Sequence, residues 1–113
     1  HDNIKQELVN RCETDTVLFG GKGLGMQGRA LKNELVEKIQ NIEDGGGKLE
    51  ELFPLISGQR IKNAWENGLV NEAPFMVGQC IGHIHEVMSC REVLDTMCDD
   101  AKKHLAQASA RFL

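Results

Sequence analysis

The chain contains no C-x-x-C pair, no apolar run approaching the roughly 20 residues that span a bilayer, and no stripe of basic charge. Each absence removes a class of function. Cys12, Cys80, Cys90 and Cys98 are the four cysteines. Their spacing excludes the usual zinc and thioredoxin-like arrangements. Cys90 and Cys98 stand eight residues apart in one helical pattern. They share a face and do not pair readily with each other, so the thiols are expected to be reduced and buried in a cytoplasmic protein. Acidic residues number 17 against 13 basic ones, interspersed to a net charge of -4. Phosphate neutralisation therefore has no basis here, and nucleic acid is not an expected partner. Neither is a membrane, and no signal peptide opens the sequence. The first residue is His1 and not Met, which leads us to expect a longer native polypeptide.

What is present alternates helical periodicity with glycine. Ile4 and Leu8 recur at helical spacing behind a candidate cap at Asp2. Residues 14–19 turn to β-branched and aromatic side chains and predict a short strand. Five glycines follow among the nine residues from Gly20 to Gly28. Leu31, Leu35, Val36, Ile39 and Ile42 then form one stripe, predicting a helix from Arg29 to Glu43 that ends at Gly45-Gly46-Gly47. Leu49, Leu52, Phe53, Leu55 and Ile56 read as a short amphipathic helix interrupted by Pro54. Ser57 caps a helix that runs through Ile61, Ala64 and Trp65, all expected in the core, and stops at Gly68.

Pro74 is compatible with the first turn of a further helix beginning near Glu72, with Met76, Val77, Cys80, Ile81 and Ile84 facing inward. Ser89 and Glu92 match a capping box for a last helix whose face carries Val93, Leu94, Met97, Cys98, Ala101 and Leu105. The sum is mainly α (α+β) with one short strand and no internal repeat. A lone strand leaves backbone donors and acceptors unpaired. Its partner is expected around Gly25-Met26-Gln27 or in a part of the protein outside this chain.

The motifs give little chemistry of their own. The glycine loop sits between a strand and a helix, as a phosphate cradle does. Lys22 is not followed by Ser or Thr, however, and Met26 stands where the dinucleotide fingerprint needs glycine. A mobile loop lying over a pocket is the better reading. His83 and His85, two apart on a helix, point to nearly opposite sides and do not chelate together. Cys80 precedes His83 by about one turn, so a thiol–imidazole contact is geometrically open, but Cys80 falls on the inward stripe and reads as core.

Three stretches carry a likeness to a known family. They are Glu13-Thr14-Asp15-Thr16-Val17-Leu18, then Gly28-Arg29-Ala30-Leu31-Lys32-Asn33, then Ala73-Pro74-Phe75-Met76-Val77-Gly78-Gln79-Cys80-Ile81-Gly82-His83-Ile84. In order and spacing they resemble the signature of the nitronate monooxygenase and FMN-dependent enoyl-acyl-carrier-protein reductase family. Residues 61–70 and the opening His1-Asp2-Asn3-Ile4-Lys5 are similar to that family too, so the likeness runs through nearly the whole chain. His83, His85 and Pro74 depart from the pattern.

The resemblance implies an FMN-binding TIM barrel with a mostly helical domain inserted late in the chain. Residues 1–71 would be that inserted substrate or lid domain, and 72–113 the C-terminal helices returning to the barrel. The barrel itself, which needs about 200 residues or more, lies outside this chain. The implied protein is an oxidoreductase acting on nitronates or enoyl thioesters, with NAD(P)H a candidate reductant. Met76, Gly78 and Gln79 are then expected at the flavin end of the cleft, where backbone amides at a helix start would favour an anionic group. Gly23, Gly25 and Met26 are expected in a lid over the substrate. The family's catalytic histidine and FMN phosphate loops have no counterpart here, so no catalytic residue or metal ligand is assigned, and His83, His85 and His104 are not promoted to that role. The implied partners are the barrel portion of the same protein and a small-molecule or acyl thioester substrate, and a homodimer is compatible. The competing reading is a stand-alone helical interaction module without catalytic activity, whose apolar faces would close on themselves.

Overall fold

The expected strand forms and finds its partner within the chain. In a computed structural model, which describes residues 1–112, β1 (Thr16–Phe19) pairs antiparallel with β2 (Gly28–Leu31). The register sets Thr16 opposite Leu31 and Phe19 opposite Gly28. The partner thus begins just past Gly25-Met26-Gln27, and the helix expected from Arg29 starts only at Glu34. Two causes explain the difference. The backbone groups of β1 require pairing, and Asn33 caps the following helix by accepting from the Val36 amide at 2.9 Å.

A second correction lies on the other edge of β2. The helix expected from Glu72 does not form. Ala30 instead makes an antiparallel bridge with Met76, the Leu31 amide donates to the Phe75 carbonyl at 2.9 Å, and the Val77 amide donates to the Arg29 carbonyl at 3.3 Å. Pro74 has no amide proton and biases Ala73 toward extended backbone. The open edge of β2 supplies the bonds a helix would have made internally. Only a 3₁₀ turn, Gln79–His83, follows.

Helices pack around this hairpin. In chain order they are α1 (Asp2–Val9), α2 (Glu34–Asp44), α3 (Leu49–Leu52), α4 (Gly58–Asn67) and α5 (Cys90–Phe112). His1, not Asp2, caps α1, its imidazole accepting from the Asn3 amide. Pro54 ends α3, and the chain continues as a 3₁₀ turn over Phe53–Leu55. Ser57 caps α4 as expected, and Gly68 ends it at φ +65°.

Successive residues of a strand face opposite ways, and β2 uses this to separate two cores. Leu31 joins Ile4, Ala64, Ala73, Phe75 and Ile81 on one side. Ala30 joins Phe19, Leu35, Val36, Ile39 and Leu52 on the other. Several inward expectations fail. Trp65 is 46% exposed and packs edge-on against Phe75, with ring centroids 5.4 Å apart. Cys12, Cys80, Cys90 and Cys98 are all free but exposed, since each lies on a turn or on α5, away from both cores.

The capping box that opens α5 is present, with Ser89 and Glu92 exchanging backbone-to-side-chain bonds of 2.8 and 3.2 Å. No residue of α5 is buried. At about 1.5 Å per residue, this helix accounts for much of a long axis of 57 Å. The radius of gyration is 17.8 Å, against about 13 Å for a compact chain of this length.

Candidate functional site

Where the hairpin, the Pro74–Met76 segment and α4 meet, they leave an apolar cleft of about 330 Å³, lined by Phe19, Leu24, Met26, Gly28, Ile61 and Met76 among others. A larger hollow of about 440 Å³ lies beside the N-terminus of α2, among Lys32, Asn33, Glu34 and Asn71. It is more polar and holds none of the expected cofactor or lid residues. The apolar cleft brings two of them together, Met26 from the glycine loop and Met76 from the bridged segment. Both side chains are largely exposed, 76% and 59%, so two adaptable thioethers stand at its mouth. Gly28 makes room for this arrangement: a Cβ there would come within 2.6 Å of the Met76 methyl.

The glycine loop does behave as an anion cradle, but the anion is its own. The Glu43 carboxylate, 7% exposed, accepts from the Gly20 amide at 2.8 Å through Oε2. Its Oε1 accepts from the Lys22 and Gly23 amides at 3.2 and 2.8 Å. Phosphate therefore has no open site in this loop. Lys22 also reaches Asp44 at 2.6 Å, and its hydrogen bond and charge contact with that carboxylate raise the ammonium pKa. The loop expected to move over a pocket is thus tied down along Gly20–Gly23.

The remaining expected residues separate. Gly23 packs so closely that a Cβ would collide with Leu52. Gly25 takes φ +65° at an open position and serves the turn. Gly78 caps the 3₁₀ turn and accepts from the Ile81 amide at 3.2 Å. Gln79 does not share the cleft with Met76. It lines a separate, open hollow with Glu13, Cys80, Gly82 and His83. Cys80 and His83 both line that hollow, on the surface and not in a core. The anion-favouring helix start expected at Met76–Gln79 is a five-residue 3₁₀ turn, too short to build an appreciable dipole. Among the described residues no group of three or more His, Cys, Asp or Glu gathers at metal-binding spacing.

Two residues essential to this geometry escaped the sequence reading. Glu43 follows Leu35, Val36 and Ile39 on the buried face of α2. A carboxylate on an apolar stripe beside a glycine-rich loop was the available signal. Asn33 ended a stretch of the family likeness and fell inside the helix expected from Arg29, so its capping and tying roles were not read. Its Nδ2 donates to the Val70 and Ala73 carbonyls at 2.9 and 2.8 Å, tying α2 to the segment that carries Met76.

Hairpin, cleft and projecting helix form a mainly helical unit whose last helix buries none of its residues, and among the described residues no barrel forms. A similar unit forms part of a solved structure. FabK from Thermotoga maritima matches with a TM-score of 0.81 and 26% identity over 97% of this chain. A single-substitution variant of FabK from the same organism matches with a TM-score of 0.73 and 22% identity, again over 97%. The chain spans about a third of those proteins, 34% and 31%. No protein-family profile matches the chain, and no curated protein matches it significantly. Among the described residues no helix is long and apolar enough to cross a membrane.

Proposed function

We propose that this chain is the C-terminal portion of an FMN-dependent oxidoreductase acting on enoyl thioesters, to which it contributes one wall of the active-site cleft and the loop above it. The observation that carries the reading is the FabK match over 97% of the chain at a TM-score of 0.81. FabK stands on the enoyl reductase side of the family the sequence resembles, which favours that substrate class over nitronates. The expected lid unit, residues 1–71, and returning segment, 72–113, then carry over with one adjustment: Ala73, Phe75 and Ile81 pack in one core with Ile4 and Leu31, so of the returning segment it is α5 that stands free. The exposed stripe on α5, with Leu94, Met97 and Leu105 at 62%, 64% and 73%, is the seat for the rest of the polypeptide. A homodimer across the same face is the competing use of that surface. Four free cysteines suit a reducing, cytoplasmic setting.

The residues present fit FMN only at its edge. Met76 and Gly28 offer an apolar surface, while the amide cradle of the glycine loop is filled by Glu43. The hydride chemistry belongs to the bound flavin, with NAD(P)H as its reductant. This chain's side chains orient the substrate and exclude water: Phe19, Leu24 and Ile61 form a dry wall, and Met26 and Met76 adapt to what lies between them.

The intact gene product should purify yellow with an FMN spectrum and oxidise NAD(P)H faster with an enoyl thioester than with a nitronate. Met76→Ala should lower turnover about tenfold or more while Gln79→Ala, on a separate hollow, changes it little. A colourless, fully folded gene product would overturn the reading.

A further inference from the structure

We propose that Glu43 is a latch: a positioning residue that fixes the glycine loop as a wall of the apolar cleft, whether or not a ligand is bound. The latch is read from the hydrogen bonds alone. Its consequence for ligand binding rests on the cleft being the ligand-facing site.

The bonds form a relay. Glu43 Oε2 accepts from the Gly20 amide at 2.8 Å, and Oε1 accepts from the Lys22 and Gly23 amides at 3.2 and 2.8 Å. The Gly20 carbonyl in turn accepts from the Leu24 and Met26 amides at 3.1 and 3.2 Å. Leu24 and Met26 are the loop's contribution to the cleft wall. One carboxylate thus sets the residue from which both cleft side chains are hung. Gly20 suits this place because its φ of +84° is a glycine conformation and a Cβ would come within 2.5 Å of the Met26 carbonyl oxygen.

Helix stability does not explain a carboxylate at this position. Glu43 lies in the last turn of α2, where the negative end of the helix dipole disfavours it. Burial at 7% exposure adds a desolvation cost that only hydrogen bonds offset. The three loop amides supply them. A loop so rich in glycine loses much backbone entropy on ordering, and a buried charge accepting several amides is a strong way to offset that loss. Lys22 and Asp44, exposed at 74% and 66%, form a second tie on the solvent side, where an ion pair contributes little.

Amide hydrogen exchange on the full chain tests the latch. In Glu43→Ala the Gly20, Lys22 and Gly23 amides should exchange about tenfold faster or more, while those of Val36 and Ile39 keep nearly their original rates. Added acetate, which replaces the deleted carboxylate, should slow the three loop amides again. Asp44→Ala should leave Gly20 and Gly23 nearly unchanged. Unaltered loop exchange in Glu43→Ala, no slowing by acetate, or equal loosening by Asp44→Ala would each overturn the proposal. Should Glu43→Ala not fold, Glu43→Gln decides the matter. Its amide group turns a donor toward backbone donors, so wild-type exchange at all three amides would again refute the latch. Titration with n-octanol, read at the Met26 and Met76 methyl signals, tests the consequence. We expect binding about tenfold weaker in Glu43→Ala. Silence of both methyls in the wild type would defeat the cleft reading, while the exchange rates still decide the latch.

Discussion

Asn33 joins elements that lie far apart in sequence, and it does so with three hydrogen bonds from one side-chain amide. Its Oδ1 holds the first turn of α2, and its Nδ2 holds the carbonyls of Val70 and Ala73. Asn33→Ala removes the cap and leaves both of those carbonyls without this donor, so we expect a loss of about 2–3 kcal/mol in denaturant unfolding. Asn33→Asp keeps the cap but turns a carboxylate oxygen toward those carbonyls, and should be no better tolerated. Gly23 makes the same point about close approach. A Cβ there would strike Leu52, which is fully buried, so Gly23→Ala should cost about 1–3 kcal/mol by the same measurement. The helix expected from Arg29 placed Asn33 in its interior, so the cap was not read, and its other two bonds depend on a chain crossing 37 and 40 residues away.

Elements held where their ends carry local signals. Ser57 and Gly68 bound α4, and the Ser89–Glu92 box opens α5, as the residue types require. Gly68 adds a packing demand, because a Cβ at its φ of +65° would also meet the His1 ring. Gly68→Ala should therefore destabilise by about 1–2 kcal/mol in thermal unfolding. The Ser89 hydroxyl, and then its amide, hold the Glu92 carboxylate below the ordinary glutamate range. A depressed folded value contributes helix stability above the ordinary pKa and loses it as pH falls through the folded one. The amide signals of Ser89 and Glu92 should therefore shift together at a midpoint below the ordinary glutamate value, and Ser89→Ala, which keeps the backbone amide, should raise that midpoint toward it.

Elements failed where a local pattern met a backbone edge. Arg29–Leu31 continues the helical stripe of α2, yet it pairs with β1. Residues 73–77 carry helical spacing, yet they bridge to β2. In both places unpaired strand groups outweighed a weak helical preference.

At the scale of the whole molecule the chain divides into a packed body and a projecting helix. The two cores run from Ile4 to Ile81, and α5 contributes no buried residue. Removing residues 90–113 should therefore leave the unfolding free energy of the remainder within about 0.5 kcal/mol. A larger loss, read by denaturant titration, would show that α5 packs on the core after all. The apolar stripe from Leu94 to Leu105 does not close on the body of this chain.

The amino-acid sequence by itself determined the caps of α4 and α5, the glycine breaks, the first strand and the amphipathic faces, because each rests on neighbours within a few residues. It also carried the family likeness, as three collinear stretches. Only the tertiary structure decided that β2 would stand between separate cores, that Met26 and Met76 would share a cleft, and that Glu43 would fill the glycine loop. Those outcomes depend on backbone groups meeting across 20 to 46 residues of chain. A donor or acceptor there takes whichever partner the packed chain brings within reach, and no local pattern names it in advance.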